Sequence, residues 1–408
     1  MTAQSIVTYS LKKVSNDCTV HRDLLIERFY STFTSCTSGV AFLKRLRSHG
    51  HGPNKIMVST EDGRLQLFNP VTGALVSAML PLPKHQVVEE LAYNAKDGKM
   101  YIVLKSGDVL VLNTHSHPFR AVEVLHPPTP DFKVVCLTVM VVCIESTEAE
   151  GGKVEDTVIF MGTSSGAICV MESQSLLMET PIQAHKGGFV AMSCSCDVDP
   201  VSSRLHRTSR YLVTAGNDNL VKLWGLEFMP GQGGWTLSLV LVQNIDCMGS
   251  PSHVAMFENI VCVTFGEYGL VKMFRLAGLN KKDNRSELQG LYVLLTHFSQ
   301  FDHSDTVTAL DMCPMINIFV TCGTDGYVKI WDTNNQLIRE MAFGQTVHSV
   351  CFANNRGDLL IGFQNRVLLV PIIKYMPQFM LEQMSGRMFV DEEQESPVEI
   401  SGKKKKLW

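Results

Sequence analysis

The sequence predicts an all-β chain, a seven-bladed β-propeller with short tails outside the ring. Three observations carry that expectation. A tight-turn residue recurs seven times, each turn is followed by the same alternating strand, and further apolar runs flank each hairpin. The turn residues are Gly63, Gly107, Gly166, Asn219, Gly269, Gly326 and Asn365, separated by 44, 59, 53, 50, 57 and 39 residues. Five positions after each stands a large apolar residue: Phe68, Leu112, Met171, Trp224, Phe274, Trp331 and Val370. Four strands recurring every ~40–45 residues are the mark of propeller blades, and radial repetition leaves only short, protected edges.

The strands follow in order from the spacing. Two residues after each turn stand Leu65, Val109, Ile168, Val221, Val271, Val328 and Val367; four after it stand Leu67, Val111, Val170, Leu223, Met273, Ile330 and Leu369. Period-two apolarity bounded by Gly or Asn is a strand, whereas a helix needs spacings of three and four. Upstream of the turns lie Ile56–Ser59, Ile102–Leu104, Ile159–Met161, Tyr211–Val213, Ile260–Val263, Ile318–Val320 and Leu359–Ile361. Each pair reads as a hairpin whose turn needs a residue tolerant of positive φ. Inner strands are expected at Val40–Leu46, Val88–Tyr93, Val134–Ile144, Phe189–Cys194, His253–Phe257, Val307–Met312 and Val347–Phe352. Outer strands are expected from Leu75–Leu80 through Leu337–Phe343.

The ring is thus expected over 40–373, with an N-terminal segment 1–39 and a tail 374–408. Leu24–Tyr30 could close the seventh blade beside Val367–Val370, with Ile6–Leu11 left from another element. If neither pairs there, a naked edge remains, as in a piece of a longer chain. In the tail, Met376, Phe379, Met380 and Met384 fall close to one helical stripe after Pro377. The reading favours packing on the chain's own domain over a Met-rich partner-binding helix. Beyond it lie the acidic run Asp391–Glu395, Ser396-Pro397 and Lys403–Lys406, read as a solvated tail in preference to a nuclear address.

Two segments, Tyr211–Trp224 (YLVTAGNDNLVKLW) and Phe319–Asp332 (FVTCGTDGYVKIWD), resemble WD repeats. In that family a His before the inner strand, a hydroxyl residue on the second strand, the turn Asp and the Trp form a buried hydrogen-bonded tetrad. The resemblance therefore implies structural tetrads His185, Thr214, Asp218, Trp224 and His303, Thr321, Asp325, Trp331. A buried indole N–H wants an acceptor, and a satisfied network pins turn to strand. The other blades depart from the pattern, with Phe, Leu, Met or Val at the Trp position. His, Asp and Thr are also the ingredients of a nucleophilic triad, but they occupy the family's structural positions, and geometry, not order, defines a triad.

Composition points to a large interaction domain. The 408 residues are 45% hydrophobic and 19% charged with net charge −4, so bulk charge implies neither nucleic acid nor membrane as a partner. The polar Met1–Ser5 start and the longest apolar run, Val134–Ile144, predict no signal core and no membrane span. Twelve cysteines without C-x-x-C, many within strands, read as reduced thiols, and no metal or cofactor is expected. Phosphate-loop, dinucleotide and nucleophile-elbow motifs are absent. Pro230-Gly231-Gln232-Gly233-Gly234 reads as a flexible connector.

Insertions single out one face. Ser146–Asp156 and Asp199–Ser209 join first to second strands in the third and fourth blades, and Ala277–Gly290 joins third to fourth strands in the fifth; both kinds of connection emerge on the same side. Glu148, Glu150 and Glu155 make the first acidic; Arg204 and Arg207 make the second basic; Lys281 and Lys282 lie in the third. Long loops on a rigid scaffold tend to carry binding, and adjacent patches of opposite sign orient a partner. The expected function is a non-catalytic protein–protein scaffold of a cytoplasmic or cytoskeletal assembly, with flavour similar to the propellers of large ciliary and flagellar proteins. The alternative is a substrate receptor of a cullin-type ubiquitin ligase. Such receptors commonly carry Trp-Asp-x-Arg, where this chain has Trp331-Asp332-Thr333-Asn334.

Overall fold

The computed structural model describes residues 19–21, 28–32, 37–43, 55–60, 64–68, 75–79 and 87–385. The last span excludes 95–96, 115–119, 127–131, 146–152, 173–180, 196, 199–204, 207–210, 232–233, 278, 280–291 and 355. Regular structure is almost wholly β. The first sheet holds Thr37–Leu43, Lys55–Thr60, Leu65–Phe68 and Leu75–Met79; the second Val88–Asn94, Lys99–Leu104, Val109–Asn113 and Arg120–Leu125. The third holds Val134–Glu145, Lys153–Thr163, Ala167–Glu172 and Ile182–Gln183; the fourth Phe189–Cys194, Tyr211–Gly216, Leu220–Gly231 and Gly234–Asp246. His253–Phe257, Ile260–Phe265, Leu270–Leu276 and Tyr292–Leu295 form the fifth. Val307–Cys313, Ile318–Gly323, Tyr327–Asp332 and Leu337–Ala342 form the sixth. Val347–Phe352, Leu359–Phe363 and Arg366–Val370 form the seventh, completed by Arg28–Thr32 antiparallel to Arg366–Val370.

Among the described residues, six sheets have four strands rather than the seven expected from the turns. The sixth has five, because Thr19–His21 lies parallel to Leu337–Ala342 with Thr19 opposite Glu340. An outer strand offers a row of unpaired N–H and C=O groups, and this segment uses them. Three residues carry no periodic pattern, which is why the extra strand is invisible in sequence.

Period-two alternation sorts each strand's side chains between two neighbours. Met57 packs with the second sheet, and Ile56 and Val58 with the seventh. Met100 and Ile102 face the first sheet, Tyr101 and Val103 the third. The same sorting joins third to fourth, fourth to fifth, fifth to sixth and sixth to seventh. The innermost strands touch in sequence and return from Val347–Phe352 to Thr37–Leu43, so the ring closes. Four connections leaving outer strands, those of the third to sixth sheets, fold back on their own sheet: the amides of His185, Cys247, His303 and Phe343 donate to the carbonyls of Gly166, Asn219, Gly269 and Gly326.

Three local expectations are corrected. In the seventh sheet the left-handed turn residue is Gln364 (φ 50), one before Asn365. The Pro230–Gly234 segment is no loose connector: Pro230 pairs with Trp235 and Gly231 with Gly234 at the end of a hairpin whose strands run 12 and 13 residues. The Ser146–Asp156 insertion is partly strand, since Lys153 pairs with Glu145. Helices α1 (Ile372–Tyr375) and α2 (Gln378–Ser385) follow the ring. Ile372, Tyr375, Met376, Met380 and Met384 pack on the sixth and seventh sheets, while Phe379 is 62% exposed.

Gly166 has φ +83, and a Cβ there would lie 2.3 Å from the Gly187 carbonyl oxygen; Gly344, at φ +69, faces open space. Gly344→Ala should cost about 1 kcal/mol, the left-handed penalty alone. Gly166→Ala should cost clearly more, read as a larger drop in the urea midpoint.

Candidate functional site

Two buried polar networks stand out. His185 and His303 lie just before the inner strands of the fourth and sixth sheets; Thr214 and Thr321 lie on second strands, Asp218 and Asp325 in the turns, and Trp224 and Trp331 on third strands. His185 Nδ1 is 2.8 Å from Asp218 Oδ1 and its Nε2 is 2.9 Å from Thr214 Oγ1. Trp224 Nε1–H donates to that same oxygen at 3.0 Å. In the sixth sheet the matching distances are 2.9 Å to Asp325 Oδ2, 2.9 Å to Thr321 Oγ1, and 2.9 Å from Trp331 Nε1. One proton order satisfies every atom: indole N–H to hydroxyl, hydroxyl to Nε2, and Nδ1–H to carboxylate. Each carboxylate also accepts backbone amides, from Lys186 and Leu220 at Asp218 and from Ser304 and Tyr327 at Asp325. Turn and connection are thereby tied together.

Electrostatics agree with that order. Burial holds His185 below its usual value against the pull of Asp218. Burial opposes ionisation of Asp218 and Asp325, but hydrogen bonds from the histidines and amides prevail and lower both. Thr214 and Thr321 are 0% exposed, so neither hydroxyl can meet a substrate.

Sequence reasoning missed four members of these networks. A Cβ at Gly216 would lie 2.5 Å from the His185 ring, and one at Gly323 would lie 3.0 Å from His303 Nδ1, so the ring needs the missing side chain. Lys222 Nζ donates to the Ala184 carbonyl, and Lys329 Nζ to those of Phe301 and Asp302. The detectable signal was their shared offset: Gly two after each Thr, and Lys two before each Trp.

A second site lies on the ring axis. A cavity of about 370 Å³ is lined by inner strands of the second to sixth sheets and includes Glu90, His253 and Asp311. Glu90 Oε2 accepts the Leu137 amide of the next inner strand at 2.8 Å, and Asp311 Oδ2 accepts that of Phe352 at 2.8 Å. Removal from bulk water raises Glu90 to about 7 and Asp311 to about 6, the amide bonds pulling the other way. Burial lowers His253 to about 4.

A family model described as "WD domain, G-beta repeat" matches residues 179–225 and 294–332, the stretches that hold both tetrads. Both stretches are thus similar to WD repeats, and they sit within a closed ring of β-sheets. The chain is 22% identical over 382 residues to WD repeat-containing protein 97 of Homo sapiens, covering 86% of this chain and 22% of that protein. It is 30% identical over 73 residues to cilia- and flagella-associated protein 57 A of Tetrahymena thermophila, covering 18% of this chain and 6% of that one. The propeller chain thus spans about a fifth of the first relative's length.

Of the residues expected on the enlarged face, Glu148, Glu150, Arg204, Arg207, Lys281 and Lys282 lie outside the described residues. Glu155 sits on a described strand, opposite Cys143. The third-sheet and fourth-sheet hairpins extend on that side; partly buried Leu226, Leu237, Leu239 and Leu241 pack toward the third sheet. Among the described residues no helix is long and apolar enough to cross a membrane.

Thr321→Val keeps the shape of the residue but strands the indole N–H and His303 Nε2, and should cost about 1–3 kcal/mol in urea unfolding. The pH profile should carry two opposed slopes. His185, lowered from 6.5, contributes stability that is full above pH 6.5 and lost on acidification; the lowered aspartates add a further loss below 3.8. Glu90, raised from 4.5 to about 7, acts oppositely, its contribution falling as pH rises through that window. Glu90→Gln should therefore remove that fall, so that the urea midpoint rises more with pH between those limits than in the parent, and an unchanged profile would remove Glu90 from the account.

Proposed function

We propose that this chain is a non-catalytic protein–protein interaction scaffold of a cytoplasmic or cytoskeletal assembly, ciliary or flagellar in kind. The five-stranded sheet is read as a blade with one added strand, which makes the ring seven-bladed. The tetrads are assigned to stability: their hydroxyls are closed off and already engaged by indole and imidazole. The observation that carries the reading is the enlargement of one face by neighbouring sheets. The 12-residue and 13-residue strands of the fourth sheet and the 12-residue and 11-residue strands of the third project beside each other. Tyr211 of the fourth sheet donates to the Leu279 carbonyl, just after the third strand of the fifth.

The ciliary element rests on the name of one relative, matched over a short stretch. A ligase-receptor role has less support. Asn334, where that group carries Arg, accepts from Arg275 of the fifth sheet at 2.9 Å and is already used within the ring.

The test is affinity purification of the tagged chain from ciliated and non-ciliated cells, beside a Glu148→Lys, Glu150→Lys, Glu155→Lys variant. Cytoskeletal or axonemal proteins should be recovered with the parent and lost with the variant. Undiminished capture would discard the face, and recovery of a ligase adaptor would replace the scaffold reading.

A further inference from the structure

The opposite side of the fifth sheet carries a separate set of exposed apolar groups. In an antiparallel sheet of this order, second-to-third turns and the connections from one sheet to the next share one side, away from the long hairpins. There Met248 is 90% exposed, Tyr268 66% and Phe298 71%. They come from three successive segments: the connection after Asp246, the turn Gly266–Tyr268, and the connection before His303.

The segments lie side by side. Gly249 would place a Cβ 3.5 Å from the Phe265 ring at the foot of the turn. A Cβ at Gly266 would lie 3.4 Å from Ser252 on one side and 3.7 Å from the Thr306 methyl on the other. The His303 amide donates to the Gly269 carbonyl, and Asp302 accepts the Val271 amide. Tyr268 therefore stands between the Met248 connection and the Phe298 connection. Beneath Phe298 lies Phe301, edge to face at 6.0 Å, a firm seat for the exposed ring.

Charge decides what would fit. Asp246, Glu267 and Asp305 are exposed on these segments, and stretches 246–252, 266–269 and 297–306 contain no Lys or Arg. Asp302 is turned inward to His297, and Lys272 on the adjoining strand sits over the Phe265 ring at 5.0 Å. Aromatic faces bordered by carboxylates attract guanidinium and ammonium groups, and an adaptable thioether accepts varied apolar side chains. Anionic partners, nucleic acid or acidic lipid, meet repulsion here.

We infer that Met248, Tyr268 and Phe298, rimmed by Asp246, Glu267 and Asp305, form a docking surface for a partner protein's peptide segment in which Arg or Lys alternates with apolar residues. This surface is independent of the long-hairpin face and does not require that face to bind anything.

The probe is a short fluorescein-labelled peptide alternating Arg and Val, with its Glu-for-Arg counterpart, read by fluorescence anisotropy on the full chain. The Arg peptide should bind saturably and more weakly as salt rises; the Glu peptide should not bind. Tyr268→Ala with Phe298→Ala should weaken binding about tenfold or more. Glu267→Lys with Asp305→Lys should weaken it and flatten the salt dependence. The Glu148→Lys, Glu150→Lys, Glu155→Lys variant should bind as the parent does. No saturable binding, binding insensitive to both surface variants, or binding lost only with the long-hairpin variant would overturn the assignment. The altered side chains are exposed, so the urea midpoint should stay in place; if the aromatic pair shifts it, the charge pair decides.

Discussion

Everything in this molecule depends on apolar packing between neighbouring sheets. No sheet is buried by its own residues: each presents one row of side chains to the sheet before it and the alternate row to the sheet after it. A strand with both faces apolar would precipitate alone. In a ring it is satisfied twice, and the absence of a free face at either end of the series is what allows a chain with modest helix content and no described disulfide to hold together. The free cysteines fit this: Cys262 and Cys322 are fully buried and fill strand positions as small apolar groups.

The hydrogen-bonded tetrads sit on top of that packing and are used unevenly. The fourth and sixth sheets have complete networks. The fifth, between them, substitutes a smaller one in which His253 Nδ1 and Ser252 Oγ both meet Thr264 Oγ1, with Phe274 in place of an indole. The third uses Thr163, which accepts the Ala167 amide and donates within its own turn. A hydroxyl five residues before the turn residue is shared by the fourth, fifth and sixth sheets; the His, Asp and Trp around it are local reinforcements. Burial can hold a sheet in the ring without them, so the repeats have been free to diverge.

That hierarchy explains what the sequence disclosed. Alternation is written into every strand, so the hairpins around Gly107, Gly166, Gly269 and Gly326 could be read directly. Turn chemistry was legible where a Gly marks it, and slipped by one residue at Gln364, where a side-chain-bearing residue takes the left-handed conformation. The Pro230–Gly234 stretch misled because Gly and Pro signal a break in regular structure, whereas here they sit at the end of a long pairing whose length is dictated by neighbouring Leu side chains. Tetrad members with distinctive chemistry were visible. Gly216 and Gly323 were not, because their role is to leave space, which only the neighbouring imidazole reveals. Glu90 and Asp311 look like ordinary strand polar residues until the ring bends their strands around a common axis.

The strand Arg28–Thr32 completes the seventh sheet against Arg366–Val370. Its partner is made only after the strands of the intervening sheets. Until then the first segments hold their apolar rows toward a neighbour that does not yet exist, and contacts so distant along the chain form slowly. The ring therefore closes only once the seventh sheet has been made, and the unclosed series needs shielding from aggregation until then. A product ending before residue 366 would keep the contact of Val347–Phe352 with Thr37–Leu43 but leave Arg28–Thr32 without its partner strand.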